Sequence, residues 1–168
     1  MANGSRLIRF FEGSAILSRF EILSARSLTY ADQALLPPEH RIALRVRMRS
    51  ESRNIEIVGT HLTNTTARKG GRLKRTLQAR ELTASLSRDR VENALFLIGG
   101  DFNDVPGSET IKEMVSAGAK DAWREASSRS GQSDGAGFTA LMGTVADPGA
   151  TADARIDYLF FLGKGARY

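Results

Sequence analysis

The clearest period along the chain is the two-residue alternation in RIALRVRMR (41–49). Ile42, Leu44, Val46 and Met48 fall on one side, and Arg45, Arg47 and Arg49 on the other. Successive strand residues point to opposite faces, so this predicts a half-buried strand with a basic outer face. NIEIVGTHL (54–62), rich in β-branched residues, predicts the next strand. AILSRFEILSARSLTY (15–30) reads as two short strands, and RIDYLFF (155–161) as a closing one. ALFLIGG (94–100) is apolar without interruption, the pattern of a strand covered on both faces.

Between these runs the period lengthens. ARKGGRLKRTLQARELTASLSRD (67–89) predicts a helix from about Arg72. Leu73, Leu77, Ala84 and the pair Leu82/Leu86 form its inward stripe, with Arg75 and Arg80 exposed. Ser108 can cap a short helix through about Val115, with Ile111, Met114 and Val115 inward. Asp121 to Glu125 reads as a further helical turn. Pro37-Pro38, SSRSGQSDGAG (127–137) and ADPGATADA (146–154) read as loops. Strands alternating with helices predict an α/β layered domain.

The 168 residues suit one domain, 1–168, with a real core and no repeats. No apolar run is long enough to span a bilayer, and MANGSRLIRFF lacks the layout of a secretion signal. The absence of cysteine excludes disulfides and thiolate metal sites. These features fit a cytoplasmic location. The net charge of +5 adds a second consideration. Arg41, Arg45, Arg47, Arg49 and Arg53 form one basic cluster; Arg68, Lys69, Arg72, Lys74, Arg75 and Arg80 form another. Such fields favour phosphate-rich partners, although a solvated arginine face accounts for the same pattern.

Candidate chemistry gathers at strand ends. His61 closes one strand, with Asn64 just beyond it, and LFLIGG runs directly into Asp101, Asn103 and Asp104. Asp157 lies within the apolar RIDYLFF, where a carboxylate is costly unless partnered. Each has a structural alternative: a hydrogen-bonded core histidine, a simple Asx turn, and a buried partner for Arg155 or a backbone amide.

Taken in order, GTHLTN, GGDFND and RIDYLFF resemble motifs of the endonuclease/exonuclease/phosphatase, or DNase-I-like, superfamily. GSAILSRFEIL (13–23) resembles a further segment, with Ser14 where relatives usually have Asn, and Leu73 to Leu86 with Gln78 resembles the helix between two motifs. The resemblance implies a four-layer α/β/β/α sandwich and divalent-metal-dependent hydrolysis of phosphate esters, with Mg²⁺ or Mn²⁺ as cofactor. It implies that Asp101 activates the attacking water and that Asn103 holds the phosphate or the water. It further implies that His61 donates to the phosphate, that Asn64 contacts it, and that Asp157 fixes a later histidine. Asp101 and Asn103 are the metal ligands it leaves.

Two parts of the pattern are missing. The metal-binding Glu expected upstream of Gly13 has no counterpart, because Glu12 lies too close to Gly13. The Ser-Asp-His-like element expected after the RIDY-like strand is also absent, and His40, in the Pro-Pro loop, matches nothing. The expectation is therefore a partial sandwich, feebly active, self-associating through exposed sheet edges. Its substrate is a phosphate ester, with nucleic acid favoured by the charge. The competing expectation is a non-catalytic remnant that binds nucleic acid or phospholipid headgroups.

Overall fold

The computed structural model describes residues 13–33, 41–50, 53–88, 95–130, 137–140 and 153–163. The chain enters through one strand, β1 (Glu21–Thr29), where two short ones were expected. The strands β2 (Ile42–Ser50) and β3 (Arg53–His61) match the alternating segment at 41–49 and the β-branched segment at 54–62. A two-residue hairpin, β4 (Arg68–Lys69) and β5 (Arg72–Leu73), delays the helix by two residues. Gly70 and Gly71 take φ of 58° and 79° in its turn, values that glycine adopts without strain. Then come α1 (Lys74–Arg88) and β6 (Leu95–Asp101). Helix α2 (Glu109–Ser116) starts where Ser108 Oγ accepts from the Ile111 N–H at 3.3 Å. The remaining elements are β7 (Lys120–Asp121), α3 (Ala122–Ser130) and β8 (Asp157–Leu162).

Six strands form one sheet in the order β1-β2-β3-β6-β8-β7. Among the described residues only β3 and β6 run parallel, and α1 lies in the crossover between them. Residues paired in register share a face. Val58, Phe96, Ile98, Phe160 and Leu162 point into one core with Leu82 and Leu86 of α1 and Ile111 and Met114 of α2. Val46, Ile57, Leu97 and Phe161 take the opposite face. Among the described residues, the four layers expected are represented by this sheet and the helices on its α1 side.

Several expected faces are revised. On α1, the buried positions are Thr76, Gln78, Ala79, Leu82 and Leu86; Ala84 is exposed and Leu77 only partly covered. Arg75, expected outside, is largely buried, whereas Arg80 is exposed as expected. The helix starts later than expected; Leu82 and Leu86 are inward as expected, and Thr76, Gln78 and Ala79 complete the buried face in place of Leu77 and Ala84. On α2, Ile111 and Met114 are buried but Val115 is 51% exposed. Phe96 and Ile98 of β6 are fully buried while Leu95 and Leu97 are only partly covered, so one face of that strand is better packed than the other. Of the loop expected at 127–137, the first residues belong to α3. His40, Pro37-Pro38 and most of 146–154 lie outside the described residues.

The basic outer face of β2 is corrected for Arg45 and Arg47, while Arg49 is exposed as expected. Arg45 and Arg47 stand in register with Val58 and Glu56, on the α1 side of the sheet. Their Nε atoms donate to Glu56 at 2.9 and 2.6 Å, and Glu56 is 2% exposed. Arg45 also lies 5.0 Å over the Phe96 ring. Burial pushes the Glu56 carboxyl up, and the two guanidiniums more than offset this, holding it below its ordinary 4.5. A folded value below the unfolded one means that ionised Glu56 stabilises the fold at neutral pH, and that this is lost as the pH falls through the folded value. Glu56→Gln is therefore expected to lower stability at pH 7 and to flatten the acid limb of stability below about pH 4.5. Denaturant titrations of both proteins across that range check this.

Candidate active site

Three neighbouring strands end together. In the parallel pair, His61 stands opposite Asp101; in the antiparallel pair, Asp101 stands opposite Asp157. The register places all three side chains on one face at one rim, with His61 Nε2 3.4 Å from Asp101 Oδ2. The close approach of β3 and β6 depends on Gly100, whose φ is 147° and where an added Cβ would lie 1.8 Å from the Thr60 carbonyl oxygen. Only glycine fits there.

The chain after Asp101 turns sharply. Phe102 goes into the core, edge-on to Phe160 at 5.2 Å. Asn103 takes φ 49°, and its N–H donates to Asp101 Oδ1 at 2.7 Å, closing an Asx turn. The Leu62 N–H donates to the Asp101 carbonyl at 2.9 Å, and Asn103 Nδ2 returns a hydrogen bond to the Leu62 carbonyl at 2.8 Å. The Asx turn and the polar cluster are thus one construction. Asn103 keeps Oδ1 and one amide hydrogen for something else.

Asp157 sits at the first position of β8 and is exposed, so it is not the buried strand carboxylate expected. Its N–H and that of Ile156 both donate to Thr139 Oγ1 at 3.1 Å. Arg155 pairs instead with Asp121, at 2.9 and 2.6 Å, both largely buried. Asn64 lies in the exposed loop after β3, where its carbonyl accepts from Arg75.

Burial pushes the Asp101 carboxyl above its ordinary value, and the charge of Asp157 adds to this. The Asn103 N–H, His61 and Arg41 pull it the other way. Arg41, 5% exposed and next to the first residue of β2, is a cation near the site that the motifs did not mark. Gln78 is another residue the motifs gave no role: fully buried, it accepts from the Thr63 N–H at 2.9 Å and donates to the Asp32 carbonyl at 2.7 Å. Its i,i+4 and i,i+8 spacing from the inward Leu82 and Leu86 of α1 was the available signal.

The basic clusters are mostly committed to internal partners. Lys69 pairs with Asp32 at 2.9 Å, Arg72 with Glu113 at 3.3 Å, Arg75 with Asp104 at 3.1 Å, and Arg80 with Glu113. Lys74 Nζ donates to the Gln33 carbonyl at 2.6 Å. A divalent cation fares no better at the rim. Asp101 gives one oxygen to the Asn103 N–H and turns the other to His61, and Asn103 gives its amide to Leu62. No group of three or more His, Asp or Glu side chains among the described residues could hold a metal ion. Asp101 and Asn103, the expected ligands, do not amount to a built magnesium site.

The sequence model of the endonuclease/exonuclease/phosphatase family matches residues 10–161. The chain belongs to that family. No curated protein sequence matches it. Among solved structures, the human Nocturnin catalytic domain with bound sulfate shares 21% identity over 85% of this chain and 48% of that one, at a TM-score of 0.59. TDP2 from D. rerio, complexed with a single-strand DNA product, shares 17% over 86% of this chain and 54% of that one, at 0.59. A beta toxin mutant from Staphylococcus aureus with bound magnesium ions shares 17% over 86% and 50%, at 0.60. These likenesses show a DNase-I-like fold. The chain spans about half the length of these family structures. No helix among the described residues is long and apolar enough to cross a membrane.

Proposed function

We propose that the rim of His61, Asp101, Asn103 and Asp157 hydrolyses phosphate esters, with nucleic-acid phosphodiesters as the first substrate class to test. The observation that carries this reading is the pairing of His61 with Asp101 at 3.4 Å on adjacent parallel strand ends, with Asp157 opposite on the next strand. Family membership supports phosphate-ester chemistry, and the DNA product held by the D. rerio neighbour supports the substrate class.

In this reading Asp101 takes a proton from water as the water oxygen forms the new P–O bond. The bridging P–O bond breaks, and the leaving oxygen takes its proton from solvent. A carboxylate with a raised pKa is the better base, provided it stays ionised at the working pH. His61 and the remaining Asn103 amide hydrogen donate to the non-bridging oxygens without adding negative charge. Asn64 and Arg41 flank the bound phosphate. Asp157 orients His61 or the water across the rim. No step is assigned to Mg²⁺ or Mn²⁺. With two carboxylates facing an anionic substrate and little built positive charge, turnover is expected to be slow.

The test is hydrolysis of plasmid DNA and of bis-p-nitrophenyl phosphate, with added Mg²⁺ or Mn²⁺ and with EDTA, across pH. The rate should climb as Asp101 loses its proton, with the midpoint of the acid limb above 3.8, the ordinary value. An acid limb that persists unchanged in Asp101→Asn removes Asp101 as the base. Binding without turnover under every condition favours the non-catalytic reading.

A further inference from the structure

Both loops that carry the site converge on one side chain of α1. Arg75 Nε donates to Asp104 Oδ2 at 3.1 Å, and Nη1 donates to the carbonyls of Asn64 and Thr65 at 3.5 and 3.2 Å. Neither partner of the ion pair is more than 14% exposed. Asp104 is itself pinned. The Thr110 hydroxyl donates to Oδ2 at 2.7 Å, the Val105 N–H to Oδ1 at 3.1 Å, and the Tyr158 hydroxyl to its carbonyl at 3.1 Å. The guanidinium therefore joins the loop after His61 to the loop after Asp101.

These loops need such a tie. The β3–β6 pairing stops at His61 and Asp101, and the Leu62 N–H to Asp101 carbonyl bond is the last backbone link. Beyond it the described links are Asn103 to Leu62 and the Arg75 fork. Charge-assisted bonds are shorter and stronger than neutral ones, and a planar guanidinium fixes directions that a lysine cannot. Arg80, on the same helix, pairs with Glu113 at the surface and touches neither loop.

We infer that Arg75 is a positioning residue that fixes the His61 loop against the Asp101–Asn103 loop, rather than a ligand for phosphate. This rests on the proposed roles of His61 and Asp101, but its main test does not need turnover. Amide hydrogen exchange and ¹H–¹⁵N spectra are compared for the full chain, Arg75→Ala, Arg75→Lys, Asp104→Asn and Arg80→Ala.

Arg75→Ala and Asp104→Asn should speed exchange at the Leu62 and Asn103 amides by about 10- to 100-fold, the range of a lost charged hydrogen bond. They should also move the His61 ring and Asn103 side-chain resonances while β1 and β2 amides stay protected. Arg75→Lys should restore part of this, and Arg80→Ala should change nothing at the rim. In the hydrolysis assay the loss should fall on kcat, with KM nearly unchanged. Unchanged protection at Leu62 and Asn103 in Arg75→Ala overturns the inference, as does a uniform fall in protection across the sheet. If Arg75→Ala does not fold, Arg75→Lys and Asp104→Asn decide by the same readouts. Absence of turnover in the unmodified chain counts against the proposed function and leaves the exchange result to decide the role of Arg75.

Discussion

Asp101→Asn is expected to lower hydrolysis of bis-p-nitrophenyl phosphate by about 10²- to 10⁴-fold, the usual contribution of a placed general base. The same substitution should leave the protein at least as stable at pH 7. The reason is the cost of the charge itself. Burial and the Asp157 carboxylate raise the Asp101 pKa, so the folded state resists its ionisation. A carboxyl raised on folding lowers stability at pH values above its folded pKa, and a neutral amide of the same shape relieves that cost. Asn still offers Oδ1 to the Asn103 N–H, so the turn survives. A rate assay and a thermal melt on the same two samples check both halves. Equal rates remove Asp101 from the chemistry, and a melting temperature lowered by many degrees shows that the carboxylate serves the fold.

The second large effect is structural. Asp121→Ala is expected to destabilise the fold by about 3–5 kcal/mol, the cost of removing one partner of a buried ion pair. Asp121 accepts from Arg155 at 2.9 and 2.6 Å, and Oδ1 also accepts from the Trp123 N–H at 3.1 Å at the start of α3. Arg155 lies 4.6 Å over the Tyr158 ring, and the Tyr158 hydroxyl donates to the Asp104 and Arg155 carbonyls. Losing the carboxylate therefore leaves a buried guanidinium against the strand that carries Asp157. A protein stable by about 5–15 kcal/mol would lose a large share of that margin. The double replacement Asp121→Leu with Arg155→Met should recover much of it, because well-packed apolar pairs often match buried ion pairs. Denaturant unfolding measures both, and a loss below about 1 kcal/mol for Asp121→Ala shows that the pair adds little.

Much of this was visible in the sequence because local patterns suffice for it. Alternation marked β2, β-branched residues marked β3, and the continuous apolar run marked β6, each within a residue or two at the site-bearing end. Ser108 announced α2 because a cap is chemistry between neighbours. The order of GTHLTN, GGDFND and RIDYLFF pointed to the family that the family match shows.

Other features depend on which element packs against which. Arg45 and Arg47 of β2 looked like part of a solvent face until the register placed them beside Glu56, eleven and nine residues away. Arg75 looked like one more surface cation, because Asp104 is distant in sequence and meets it only when β6 returns beside β3. On α1, Leu82 and Leu86 face inward as their period says, but Thr76 and Gln78 take inward places beside them because they meet polar partners that lie far away in sequence.

The sequence by itself determined most of the strands and helices and the residue types at the strand ends, because these follow from local sterics and periodicity. Only the tertiary structure decided that His61, Asp101 and Asp157 share one rim, that glycine alone fits beside Thr60 at position 100, and that most described members of the two basic clusters have partners within the chain. Strand order and register bring together residues far apart in the chain, and no local rule encodes that distance.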